Sequence, residues 1–277
     1  MDKINSFLYK ILYPVHLLSW MGFFVYLINF DFTIVELCYL ILGWIIIEGV
    51  GVAVVLHRYV SHRAFEAKPY IKPVLLWIAC LSLQGSPIGW AAIHRGSHHR
   101  YSDTEKDAHS PIKGKWYAWH AWLHDWDQYF NAKFAVDLLR DPMHIWFAKN
   151  YNKIILVTYL VVGLISWKLL LFGFMIPACI SLYQESNINV FCHSGTWGYR
   201  TFETKDNSRN VPFLAWITWG QGWHNNHHQL ASSYDFGSTV SGNPKEFDMS
   251  LLLLPLVATK ESKNKIYQDR HDKLHSQ

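Results

Sequence analysis

Residues 11–30, ILYPVHLLSWMGFFVYLINF, hold no Asp, Glu, Lys or Arg over twenty positions. At about 1.5 Å per residue, such a run spans the roughly 30 Å hydrocarbon core of a bilayer. It lacks a small-residue cleavage site, so it reads as a retained helix and not as a signal peptide. Residues 33–56 make a second span, interrupted by Glu36 and Glu48, with room for only a tight turn at 29–32. The run 71–84 is too short to span and suits an interfacial or re-entrant helix. Residues 154–191 fit two further spans of about 19 residues, 154–169 and 170–191, with Lys168 snorkelling at the turn. One long helix would instead place that lysine in mid-membrane, which is costly.

The composition agrees. Of 277 residues, 51% are hydrophobic and 17% charged, against roughly 25% charged in soluble domains. Disorder is excluded, and a net charge of +4 gives no sign of a nucleic-acid partner. Cys38, Cys80, Cys179 and Cys192 form no CxxC pair, so neither a disulfide framework nor a zinc knuckle is indicated. With four spans, residues 1–10, 57–153 and 192–277 share one face of the membrane. That face carries every Lys and Arg except Lys168, which places it in the cytoplasm. The expected fold is all-α: a multi-pass membrane protein of four transmembrane helices with a cytoplasmic helical cap (57–153 and 192–258). The polar tail 259–277 is expected to lie loose.

Sixteen histidines stand out, and eight fall in three tight clusters on that face. HRYVSH carries His57 and His62, HRGSHH carries His94, His98 and His99, and HNNHH carries His224, His227 and His228. His193 follows the last span, four residues after Asn189. On an α-helix His94 and His98 project within about 40° of each other, as do Asn189 and His193. His57 and His62 would stand about 140° apart, so the chain must unwind there or the pair must straddle a site. Imidazole nitrogen suits Fe, Zn, Cu or Ni. Nine histidines exceed one metal's coordination, so two metals sharing a pocket is the economical reading, and the absence of HExxH argues against a zincin-type protease. A single histidine doublet is as often a hydrogen-bonding group, but three clusters facing one compartment are not. His16, alone within the first span, reads as structural. So do His120 and His124, in the aromatic stretch Trp116–Trp126 that suits interfacial anchoring. His271 and His275 fall on the tail. Glu48 fits either a cavity lining or a structural partner and is left outside the site.

The order HRYVSH, WAAIHRGSHHRYSDTEKDAHSP, NVFCHSGTWGYRTFETKDNSRN, GQGWHNNHH resembles the membrane-bound fatty acyl desaturases, especially the Δ9, stearoyl-CoA-like branch with its bacterial members. The resemblance runs from about Leu56 to Asp248 and implies one desaturase domain over 1–277. It implies a non-haem diiron enzyme that inserts a cis double bond into a saturated acyl chain, using O2 and two electrons. His57, His62, His94, His99 and His228 would hold one iron. His98, His193, His224 and His227 would hold the other, with Asn189 acting through a water. Asp103 and Asp107 match acidic positions that orient ligand imidazoles. The acyl chain, carried by CoA, a lipid or an acyl-carrier protein, would lie in a tunnel between spans and cap.

One departure concerns the second box. The Δ9 branch usually has two residues between its first histidine and the pair, whereas Arg95, Gly96 and Ser97 make three here. On an α-helix the extra residue turns His94 by about 100° relative to the pair, which leaves the iron assignments of His94, His98 and His99 open. No haem-binding HPGG motif occurs, so electrons would come from a separate protein, ferredoxin or cytochrome b5. The alternatives are an alkyl-chain hydroxylase with a similar diiron site and a non-catalytic metal-binding membrane protein. Ligand clusters that follow the spans, instead of lying at the midplane, count against a transporter.

Overall fold

The computed structural model describes residues 8–275, with side chains from 12 to 269; residues 1–7, and the side chains of His271 and His275, lie outside it. Among the described residues the architecture is all-helical, with only isolated β-bridges. The helices that position the site are α1 (Leu8–Asn29), α2 (Ile34–Ser61), α3 (Lys72–Leu81), α4 (Pro87–Ile93), α5 (Pro142–Ile165) and α6 (Trp167–Phe191); among the described residues three of them, α1, α2 and α6, are long and apolar enough to cross a membrane. The remaining expected span, 154–169, falls on α5, which is not one of these three. Its first half is polar, and its second half exposes Leu156, Val157, Leu160, Val161, Leu164 and Ile165.

Local chemistry sets the boundaries. Thr33 caps α2 in a capping box with Glu36. The break between α5 and α6 comes at Ser166, not after residue 169, because the Ser166 hydroxyl accepts the Leu169 N–H and starts a new helix. Lys168 does sit at that turn, with its Nζ 3.0 Å from Glu36 Oε1 and 3.1 Å from the Tyr26 hydroxyl. The short run predicted at 71–84 becomes α3, which buries Leu75, Leu76, Ala79 and Cys80 and ties Trp77 Nε1 to Thr158 of α5 at 3.0 Å.

The tail departs from expectation. Residues Lys260–His275 form a helix, and Ile266 is buried in the main core while its carbonyl accepts the Tyr234 hydroxyl at 2.7 Å. The Ser262 hydroxyl adds a second tie, accepting the Glu66 N–H at 3.0 Å.

Helices α2 and α6 cross closely at Gly43, where an added Cβ would meet the Gly173 carbonyl oxygen at 2.3 Å and Pro177 at 2.7 Å. Backbone cannot give way as a side-chain tip can. Gly43→Ala is expected to cost roughly 1–3 kcal/mol, read as a lower melting temperature in detergent; an unchanged transition would show that the helices part easily.

Candidate metal centre

The first histidine pair is placed by a change of helix type. From Ile45 to Ser61, α2 adopts π-helical hydrogen bonding, in which residues five apart stack as residues four apart do in an α-helix. The His62 N–H accordingly bonds the His57 carbonyl, and the two rings lie 5.0 Å apart. Neither unwinding nor straddling is needed.

The same device resolves the second box. After α4 the chain runs π-helically over His94–His98, so the His99 N–H bonds the His94 carbonyl and their Nε2 atoms come within 3.1 Å. The extra residue between the histidines is absorbed by the wider turn. His98 is thereby turned to the opposite side, with its Nε2 3.2 Å from that of His228.

Two nitrogen clusters result. His57, His62, His94, His99 and His227 form one, and His98, His193, His224 and His228 the other; within each, one ligand atom per residue lies within 4.8 Å of all the rest. His227 and His228 therefore exchange places relative to the sequence expectation. The reason is helical phase on α7 (His224–Gln229). His224 and His228, four apart, share a face, whereas His227 is turned about 100° from His228 and reaches His57 at 3.0 Å and His99 at 2.9 Å.

Tautomers follow from the outer nitrogens. Nδ1 of His57 faces Gln221 Oε1 at 2.6 Å, that of His193 faces Asp103 at 3.1 Å, and that of His228 faces Asp206 at 2.8 Å. His98 Nδ1 meets both oxygens of Asp107, at 3.3 and 3.4 Å. A neutral imidazole that donates from Nδ1 presents a bare lone pair at Nε2. The Nε2 atoms of the clustered histidines meet one another at 2.8–3.2 Å, a contact that a cation between them makes attractive. The donor set thus fits metal, and all-imidazole donation suits iron, zinc, copper or nickel.

Electrostatics favour the ligand form. Burial, reinforced by neighbouring imidazoles, pushes His94, His99, His224 and His227 well below the usual imidazole range. Burial and Arg95 do the same at His62, and His228 sits at about 4. His193 moves the other way: burial pulls it down, but the Asp103 hydrogen bond and the charges of Asp103, Asp107 and Asp206 together outweigh that. Against burial, which would raise them, His98 and His228 hold the carboxyls of Asp107 and Asp206 below the usual carboxylate range.

Beneath the clusters lies a cavity walled by Trp90, Ile93, Trp122, Leu123, Leu182 and Ile188, with Asn189 and Glu185 on the α6 side. Asn189 directs its Nδ2 toward the Ala118 carbonyl at 3.5 Å. Asp103 and Asp107 face the outer nitrogens of His193 and His98.

Three partners were not legible. Asp206 lies in the polar run TKDNSRN, where nothing distinguishes it from a solvated acid. Gln221 donates to Glu48 at 3.1 Å and Glu185 at 2.5 Å while accepting from His57, so the two membrane acids join the site through it. His109, pushed down to about 3 by burial, sets its ring 4.5 Å from that of His98 at a tilt of 38°. The need of each ligand imidazole for an outer acceptor is the one signal that could have prompted a search for such partners. Replacing Asp206 by Asn removes the charged acceptor and is expected to weaken metal binding at the four-histidine cluster roughly 10–100-fold. A chelator-competition titration reads this, and an unaltered affinity would deny Asp206 its orienting role.

Comparison with known proteins is decisive about kinship. The fatty acid desaturase family model matches residues 32–232. The chain belongs to the fatty acid desaturase family. Among its relatives in that family are Delta-9 acyl-lipid desaturase 2 of Arabidopsis thaliana, 35% identical over 68% of this chain, and sn-1 stearoyl-lipid 9-desaturase of Anabaena variabilis, 32% identical over 76% of it. Hex-5-enoyl-[acyl-carrier protein] acetylenase of Moorena producens is 31% identical over 72%. The chain spans 62% of the length of the Arabidopsis relative, 76% of the Anabaena one and 68% of the Moorena one.

Proposed function

We propose that this family member is an O2-dependent fatty acyl desaturase that introduces a cis double bond, at the Δ9 position, into a saturated acyl chain. The observation that carries the reading is the pair of converging histidine clusters at the mouth of an apolar cavity. The family supplies the metal: iron at each cluster, held by His57, His62, His94, His99 and His227 on one side and by His98, His193, His224 and His228 on the other. Bound there, two irons would supply the binding and reduction of O2 that cleavage of an unactivated C–H bond demands. Overall, a –CH2–CH2– unit, O2, two electrons and two protons give –CH=CH– and two waters.

The chain's own residues do the rest. Gln221, Asp103, Asp107 and Asp206 hold imidazoles in the Nδ1–H tautomer and fix ring direction. Trp90, Ile93, Trp122 and Leu182 bind the hydrocarbon and keep bulk water away. Asn189 faces the cavity between α6 and the histidines and holds a water there. Helix α5 serves as the fourth span, so the centre lies on the cytoplasmic face, where a separate ferredoxin or cytochrome b5 delivers electrons. The named relatives act on acyl lipids and on an acyl-carrier protein, and an acyl lipid is the substrate class adopted here.

The test is reconstitution of iron-loaded protein with reductant and a saturated acyl lipid. Product lighter by two hydrogens, formed only with O2, is expected; a product heavier by one oxygen atom would make it a hydroxylase, and O2-independent behaviour would refute both.

A further inference from the structure

A second cavity adjoins the first. Tyr13, His16, Leu17 and Trp20 of α1, His120 of the cap and Leu182 of α6 line it, and Leu182 also walls the cavity beneath the histidines. Leu182 is thus a wall that the two spaces share.

His16 gives this cavity its chemistry. It is 6% exposed, and its Nδ1–H donates to the Leu12 carbonyl at 2.8 Å. Its Nε2 is then an acceptor, buried and without a partner among the described residues. Such an atom is satisfied by a hydrogen-bond donor. Ester, phosphodiester and quaternary-ammonium groups offer none, whereas a hydroxyl does. Leu17, on the same cavity wall, is 62% exposed on the apolar outer surface of α1, so the space borders the bilayer. At its rim the Tyr13 hydroxyl lies 2.9 Å from His124 Nε2 and 3.3 Å from His120 Nε2, beside aromatics suited to the headgroup level.

We propose that this cavity receives the hydroxyl-bearing polar head of an acyl lipid, hydrogen-bonded to His16 Nε2, while the acyl chain passes Leu182 into the cavity beneath the histidines. The inference rests on the desaturase reading and specifies which lipids the site takes. It also changes the part assigned to His16, which becomes a substrate-selecting residue instead of a structural one.

The test uses the iron-loaded full chain in micelles and tryptophan quenching by lipids with bromine-labelled stearoyl chains. One lipid is a monogalactosyl diacylglycerol, rich in hydroxyls, and the other a phosphatidylcholine, which has no donor. Binding of the galactolipid is expected to be about tenfold tighter. His16→Phe should abolish that preference, and His16→Gln, which keeps an acceptor, should retain it; His16→Leu replaces the Phe variant if that one does not fold. Equal binding of both lipids by the wild type, or a preference that survives loss of the acceptor, would overturn the inference. So would tighter binding of a bromine-labelled acyl-CoA than of either lipid. Product analysis on the same samples separates the two levels. Desaturation without lipid preference removes only this inference, while neither binding nor product removes the desaturase reading with it.

Discussion

His227→Ala is expected to empty the five-histidine cluster and leave the four-histidine cluster loaded, and His228→Ala to do the reverse. Each variant should hold about one iron per chain in place of two and lose at least about 100-fold in desaturation, a loss beyond that of an outer-sphere partner. The grouping is tested by combination. His57→Ala added to His227→Ala strikes a cluster already empty and should remove no further metal, whereas the His227→Ala, His228→Ala double variant should remove both. Residues that act as a unit are non-additive in this way. Metal analysis after iron loading reads the outcome. A double variant that still holds one iron would show that the two histidines serve the same ion. The expectation rests on the 2.9–3.1 Å contacts that tie His227 to His57 and His99, and His228 to His224.

Arg58→Met carries the largest expected effect on stability. Arg58 is fully buried one residue after His57, with Nη2 2.7 Å from Asp248 Oδ2. Its Nη1 and Nε donate to the carbonyls of Ala53 and Tyr234, and its guanidinium lies 3.8 Å over the Phe236 ring. Removing one partner of a buried pair strands the other charge and costs roughly 3–5 kcal/mol. Here Asp248 would be the stranded group, and it also accepts the N–H groups of Phe236 and Ser250. Since Phe236 packs 4.2 Å from the His227 ring, the loss should loosen the metal centre along with the fold. Size-exclusion profiles and thermal transitions in detergent should show an aggregated or strongly destabilised variant. Removing the stranded charge as well, with Asp248→Asn, should recover part of the loss. A monodisperse Arg58→Met protein with an unshifted transition would contradict this account.

Much of this was legible because membrane and metal each impose simple patterns. The twenty uncharged residues at 11–30 could be little else, and the histidine boxes announce themselves by residue type. What the sequence hid was phase. Periodicity arguments assume about 100° per residue, and α2 and the His94–His98 turn abandon that geometry where the ligands sit. A π-turn has no composition signature, so the family resemblance could group His57 with His62 and His94 with His99, but how each pair meets emerged only from the backbone. The exchange of His227 and His228 is a different case, a matter of phase on an ordinary α-helix, where His224 and His228 lie four apart and His227 is turned about 100° from His228. Asp206 and Gln221 stayed invisible because a polar residue reads alike whether it faces solvent or an imidazole 2.6–2.8 Å away. The docked tail shows the same limit, since its helix is held by Ile266 and by what that residue meets.

The most direct measurement is the fatty-acid profile of a desaturase-deficient host that expresses this chain beside His227→Ala at matched protein levels. New monounsaturated acids in the lipids, with the double bond at the Δ9 position and only from the intact chain, are the predicted result. An unchanged profile from the intact chain, with the protein folded, iron-loaded and supplied with a compatible electron donor, would contradict it.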